Sequence, residues 1–432
     1  LNLKNFFPNA KKDFYFSNHE LSIKYIKEDL LINGKGDILI QDKNDILEYS
    51  INKKKNTFRF KSSLKIENNP IKIDILNYKR DNSLIQFEGY TNKKDEIFIK
   101  LFSLKEKENQ IEIKKLLLNK KYEIVKLGSI SLDFIDEENQ KNQIKFNAVK
   151  NKYILNGSSF NANKFIDELI SNNKNSIFFN IDTNIEVNID KINLDNENDL
   201  SNFKGNILLR NKEIIEANLN GNFLDNKNLR FTINTNNGNK ITTLYVDKAE
   251  PLVKRYKFIK GFEGGYLDFY SQKKNNLSKS TIKIYNFKLK ELPLLTKILT
   301  LASLQGIADI LSGEGIRFDE FEMNFQNKNN LMTIDEIYSI GPAISILMDG
   351  YVEKNKLISL RGTLVPATTI NKAIGSIPVL GKILVGTKTG EGVFGVSFKI
   401  KGPPKNLETT VNPIKTLTPR FITRTLEKIK KN

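Results

Sequence analysis

The residues that could do chemistry are few, and their spacing assembles nothing catalytic. A single histidine, His19, stands beside Glu20 in a polar stretch, and the 432 residues contain no cysteine. That excludes Ser-His and Cys-His nucleophiles and any thiolate or histidine zinc set. It also excludes disulfide staples in an oxidising compartment and thiol chemistry in a reducing one. The acidic groups Asp136-Glu137-Glu138 and Asp319-Glu320 fall in turn-like or solvent-facing contexts and read as solvated surface. The run GEGVFG from Gly390 to Gly395 has glycines but no Lys-Ser/Thr after it and no strand-to-helix setting, so it is not a phosphate loop. The sequence reads as a non-enzyme with no cofactor and no metal site.

The remaining signal is one of solvation. Short segments alternate apolar and polar residues: Phe58 and Phe60 with Arg59 and Lys61, Ile97, Ile99 and Leu101 with Phe98 and Lys100, and Ile130, Leu132 and Phe134 with Ser131 and Asp133. Further segments place Ile185, Val187 and Ile189, then Ile215, Ala217 and Leu219, then Leu229, Phe231 and Ile233 at the same spacing. A period of 2 with one apolar and one wet face predicts antiparallel sheet exposed on one side. The inward-facing candidates are Phe58, Phe60, Ile97, Ile99, Ile185, Val187, Leu219, Phe231, Ile344, Ile346 and Met348. Some two dozen strands are expected against about five short helices, too few to cover such a face. Either a second sheet covers it as a sandwich core, or a sheet curved on itself leaves an apolar channel.

The positioning elements read as follows. Strand-then-helix units are expected at Lys152 to Ile170, at Ile241 to Phe258 with Asp247 and Glu250 spaced as a capping box, and at Tyr285 to Ser303. The helix from Leu292 to Leu311 is apolar almost all round and about long enough to span a bilayer. Lys297, Gln305 and Asp309 inside it, with Gly306, favour a helix packed on a sheet instead. Leu294, Leu295, Ile298 and Leu299 are its candidate plug residues. A second apolar segment, Ile370 to Val385, supplies Ile374, Ile377, Leu380 and Leu384. A strand follows with Phe394, Val396, Phe398 and Ile400 on one side, and Lys415 to Asn432 forms a basic amphipathic helix.

The formal net charge of +18 invites a nucleic-acid reading, but only nine of the 68 basic residues are Arg, and Lys, Asn and Ile together are what AT-rich coding enriches. A Lys-rich surface is drawn to anionic lipid head groups as readily as to phosphodiesters. No nucleic-acid partner is expected. No signal peptide is visible at Leu1-Asn2-Leu3-Lys4, and we read the chain as a fragment lacking its N-terminal part.

The segments GTLVPATTINKAIGSIPVLGKILVG, GEGVFGVSFKIKGP and TVNPIKTLTP are similar to the C-terminal region of the AsmA-like superfamily of Gram-negative envelope proteins, most closely the YhdP branch. LTLASLQGIADILSGEGIRFDEFEMNF and SIGPAISILMDGYVEKNKLISLRGTLVP resemble the same region, so the likeness runs from about Tyr245 to Phe421. It implies a mainly β fold: an elongated, strongly curved antiparallel sheet forming an apolar groove, with a few short helices plugging or capping it, mostly in the C-terminal third. Residues 1–240 would be a repetitive β-groove section and 241–432 the AsmA-like C-terminal region. At about 4.8 Å per strand, two dozen strands would extend roughly 100 Å. The function implied is periplasmic conduction of phospholipids between inner and outer membranes, supporting the outer-membrane permeability barrier. The partners would be phospholipids, both membrane surfaces and other envelope proteins, with an inner-membrane anchor in the missing N-terminal segment. The alternative is a β-rich scaffold or assembly factor for outer-membrane proteins, akin to the TamB side of the superfamily, whose sheet edge templates a client strand.

Overall fold

The structure is a computed structural model that describes residues 6–27, 29–67, 69–92, 96–170, 182–211, 213–255, 260–291, 293–301, 313–366, 395–404 and 406–414. It is mainly β and falls into two compact units, Leu1–Asn226 and Lys227–Asn432. The division expected at 240/241 lies within a hairpin of the second unit instead.

The N-terminal unit contains β1 (Tyr15–Ile26), β2 (Asp29–Leu39), β3 (Asp45–Lys54), β4 (Thr57–Lys65), β5 (Ile71–Ile73), a 3-10 turn (Asp74–Leu76) and β6 (Tyr78–Arg80). There follow β7 (Leu84–Thr91), β8 (Ile97–Glu106), β9 (Asn109–Leu118), β10 (Ile124–Lys126), β11 (Ser129–Ile135), β12 (Lys141–Val149) and β13 (Lys152–Asn161). The helix α1 (Asn163–Ile170), β14 (Thr183–Asn193), β15 (Asp199–Arg210) and β16 (Glu213–Asn222) complete it. Neighbours in sequence are neighbours in the sheet, save that β4 pairs β7 and β9 pairs β11, with β5 and β6 forming their own hairpin. Meander order is what short polar turns dictate. Asn supplies many of them: among the described residues, twelve of the eighteen non-glycine residues with positive φ are Asn, whose short polar side chain tolerates the left-handed region. Part of the asparagine abundance therefore has a structural use beyond coding bias. The one parallel pair among the described residues, β13 with β14, is the pair separated by α1, because a parallel return needs a crossover.

One face of this sheet is capped by the β5–β6 hairpin and by Phe6, Phe7 and Ala10, packed with Ile38, Leu104, Ile111, Leu132 and Phe134. Tyr78 meets Phe134 edge to face at 5.3 Å between centroids, and Phe134 is fully buried. The Arg80 guanidinium donates to the Ile135 carbonyl at 2.5 Å and the Glu137 N–H to the Asn77 carbonyl at 3.0 Å, fastening the hairpin to the β11–β12 turn. Phe134→Ala is expected to cost this unit about 3–5 kcal/mol, the loss for truncating a buried aromatic, read as a lowered urea midpoint at unchanged slope.

The C-terminal unit contains β17 (Asn228–Asn236), β18 (Asn239–Val246), α2 (Glu250–Val253), β19 (Lys260–Lys274), β20 (Leu277–Glu291), α3 (Pro293–Leu301) and β21 (Ile316–Lys328). It continues with β22 (Leu331–Ile340), β23 (Ile344–Glu353), β24 (Leu357–Pro366), β25 (Gly395–Gly402) and β26 (Glu408–Ile414). From β17 to β26 each strand pairs antiparallel with the next. The sheet is strongly curved. α3 leaves the end of β20 yet packs against β26, six strand steps away, a distance of about 29 Å on a flat sheet. A helix about 10 Å across cannot bridge that, so the sheet wraps round it. Gly265 (φ 77°) and Asn286 (φ 52°), at facing positions on β19 and β20, set the bend. There the buried set changes parity on both strands, from Phe262 to Leu267 and from Phe287 and Leu289 to Ile284. Glycine and asparagine are the residues that accept this conformation.

One sequence expectation, the capping box, is corrected in this unit. α2 has four residues and its N-cap is Ala249, with no side-chain cap. The Asp247 carboxylate instead accepts the Asn228 N–H at 2.7 Å and the Tyr245 hydroxyl at 2.6 Å, so it ties β17 to β18 and is not free to cap. Of the expected helix Leu292 to Leu311, α3 occupies Pro293–Leu301, and residues 302–312 lie outside the described residues.

Candidate functional site

Directly paired residues of adjacent strands point to the same side, so the register decides which side chains share a face. In the N-terminal unit Leu47, Leu64, Ile85, Leu104, Ile111, Leu132 and Ile144 oppose one another strand by strand from β3 to β12. Two residues along the strands a second row on the same face runs Phe87, Phe102, Ile113, Ile130, Phe146, Leu155 and Val187, then Gly205 and Leu219. Between them, on the other face, the row is polar throughout: Glu48, Ser63, Gln86, Ser103, Glu112, Ser131, Lys145, Asn156, Asn188, Lys204 and Asn220. The apolar face is continuous over about ten strand steps, roughly 50 Å of sheet.

The C-terminal unit has a similar apolar face, but the row behind it is not polar throughout: Tyr338 and Leu347 oppose each other there and are buried with Val365. Phe231, Leu244, Phe269, Ile282, Met323, Ile337, Met348, Gly362, Phe398 and Val411 form one row across all ten strands. A Cβ on Gly362 would lie 2.5 Å from the Phe398 ring and 2.6 Å from Met348, so the two neighbours close over the glycine and keep the row apolar. The adjoining row holds Leu229, Val246, Leu267, Ile284, Ile346, Leu364 and Val396, all buried, with half-buried Phe321 and buried Ser339 standing between Ile284 and Ile346. Many of these belong to the cluster containing Leu295, Ile298 and Leu299 of α3 and Val253 of α2.

Burial separates a closed part of each face from an open part. In the second row of the N-terminal unit Phe87, Phe102, Ile113, Ile130, Phe146 and Leu155 are only half-buried. So are Phe231, Leu244, Phe269, Ile282, Met323 and Met348. No second sheet larger than the β5–β6 hairpin stands over them among the described residues. Phe325, Ile334 and Ile337 are shielded by side chains of the same sheet, among them Phe269, Met323, Met348 and Leu360, with no helix in the cluster. Curvature thus turns the side chains of one face toward one another while leaving part of each exposed. Phe60 stacks on Phe87 at 5.1 Å and Phe146 on Tyr153 at 4.7 Å along this face. Such a surface offers an acyl chain about 0.8 kcal/mol for each CH₂ it removes from water.

The register places Phe58, Phe60, Ile97, Ile99, Ile185, Val187 and Leu219 together on the apolar face of the N-terminal unit. Phe231, Ile344, Ile346 and Met348 share the apolar face of the C-terminal unit. Their burial differs: Phe58 is 41 % exposed, whereas Val187, Ile344 and Ile346 are buried. Plug residues Leu295, Ile298 and Leu299 are buried and Leu294 packs beside them, while Ile374, Ile377, Leu380 and Leu384 lie outside the described residues. Simple alternation fails at several bulges, two of which displace residues read as alternating from sequence. Gly89 faces Ile99 and Glu88 faces Leu101, which turns Leu101 to the polar face. Leu209 faces Ile214 and Leu208 faces Glu216, so Ile214 takes the inner place and Ile215 is the extra residue. Phe87, Phe102, Leu155, Leu244, Phe269 and Met323 were not singled out from sequence; their signal is the matching of one strand's alternation to its neighbour's.

Among the described residues no three His, Asp or Glu side chains gather where they could hold a metal ion. Burial pushes the Tyr78 and Tyr285 hydroxyls up to about 12, so both are neutral at physiological pH. A cavity of about 430 Å³ at the β17–β18 turn is lined by Asn234, Asn236, Asn239, Gln272 and Lys274, residues of the polar face. No helix among the described residues is long and apolar enough to cross a membrane. No family model, no curated protein and no solved structure matches this chain.

Proposed function

We propose that this chain is a non-enzymatic groove protein of the Gram-negative periplasm that binds phospholipid acyl chains along its apolar face and conducts phospholipids between the inner and outer membranes. The observation that carries the reading is the apolar row that crosses each unit, half-exposed over much of its length and backed in the N-terminal unit by a polar row. A single small ligand needs a closed pocket with a few placed polar groups. A row many strands long with no polar group set into it suits a sliding hydrocarbon chain, with the head group left in water. The resemblance of Tyr245 to Phe421 to the YhdP branch supports the same reading, and conduction of this kind needs no cofactor. Lys side chains on the polar faces would meet anionic membrane surfaces.

The test is transfer of fluorescent phospholipid from donor to acceptor vesicles in the presence of the purified chain. Transfer that rises in proportion to protein concentration, with vesicles remaining intact and unfused, is the expected result. Folded protein that leaves the spontaneous rate unchanged would overturn conduction. The scaffold alternative draws on one observation, the long edge of β1, which no strand among the described residues shares.

A further inference from the structure

β1 pairs with β2 and has no partner along its other edge among the described residues. It is twelve residues long, and the side chains it adds to the apolar face are exposed: Leu21 54 %, Ile23 59 % and Tyr25 71 %. They continue the inner rows, since Leu21 faces Gly34, which faces Tyr49, and Ile23 faces Ile32, which faces Ile51. Sheet edges are normally blunted by a proline, an inward charge, a bulge or a short strand, and a bulge between Ser17 and Glu20 blunts the start of β1. From Glu20 to Ile26 β1 runs in unbroken register with β2, without a proline and with no charge on the inner face.

We propose that the free edge of β1 pairs antiparallel with β1 of a second copy of this chain, about a two-fold axis at Ser22. The sequence is self-complementary about that residue. Pairing residues whose numbers sum to 44 sets Leu21 opposite Ile23 on the apolar face, once on each side of the axis. On the polar face it sets Glu20 opposite Lys24 twice, once on each side of the axis. A shift of register by one residue would put apolar against polar faces, and a shift by two, with the axis at Ile23, would set Lys24 opposite Ser22 and Glu20 opposite Ile26, losing both charge pairs. An axis normal to the sheet also keeps both apolar faces on the same side, so the inner rows pass from one copy into the next. The contact is isologous, as closed two-fold association requires.

Sedimentation equilibrium on the full chain, with circular dichroism to verify folding, decides it. The wild type is expected to show a concentration-dependent monomer–dimer equilibrium. Lys24→Glu, whose partner across β2 is the uncharged Leu31, is expected to weaken dimerisation at least tenfold while the spectrum and melting stay unchanged. The double variant Glu20→Lys with Lys24→Glu restores opposite charges across the axis and is expected to recover the dimer. A wild type that is monomeric throughout would overturn the proposal, leaving β1 to a different strand. A dimer indifferent to Lys24→Glu, or a folded double variant that stays monomeric, would overturn it equally.

Discussion

Ile346→Asp is expected to unfold the C-terminal unit. Ile346 is 8 % exposed, faces Leu364 across β23 and β24, and belongs to the cluster closed by α2 and α3. A carboxylate there has no cation in the cluster to pair with, and an uncompensated buried charge costs more than about 4 kcal/mol. That is a large part of the roughly 5–15 kcal/mol that holds a domain together. The measurement is the far-ultraviolet spectrum and the thermal transition of the purified variant. A cooperative melt close to that of the wild type would mean that Ile346 is not in a closed core.

The second large effect is on ligand rather than fold. Phe231→Asp, on the same apolar face, is expected to leave the unit folded and to reduce bound phospholipid at least tenfold. Phe231 is half-buried and pairs with Leu244, outside the cluster under the helices. Removing its ring forfeits only part of the 1.5–3 kcal/mol that full burial of such a side chain supplies, so about 1–2 kcal/mol of stability. A charge set in the acyl path must be desolvated whenever a chain passes, and about 1.4 kcal/mol already makes the tenfold loss. Quantifying lipid extracted per mole of folded variant checks this. The two substitutions together separate closed from open parts of one face, a distinction that apolar content alone does not make.

Much of this was legible in the sequence for a physical reason. A side-chain period of 2 is local, so Phe58 and Phe60, or Ile185 and Val187, announce a one-sided strand without knowledge of the partner. The strand Val396, Phe398 and Ile400 proved buried on the side expected. What was not legible is non-local. Leu101 and Ile215 follow the period yet leave the apolar face, because bulges are set by the neighbouring strand's register. The aspartate of the expected capping box turned to Asn228, a partner nineteen residues away that spacing rules do not see. The capping of the N-terminal unit by a three-residue-stranded hairpin around Tyr78 and Phe134 was missed altogether. β5 and β6 are too short to show a period, and their burial depends on where the sheet curls. The same curling decides which of two equally apolar residues, Phe231 or Ile346, stays open.

The most direct measurement is native mass spectrometry, with lipid extraction, on the chain purified from Gram-negative cells without delipidation. Open apolar rows in both units predict co-purified phospholipid at more than one molecule per chain, lost on exchange into detergent. Well-folded protein that is free of lipid would contradict the account, because it would make the apolar face a closed core throughout.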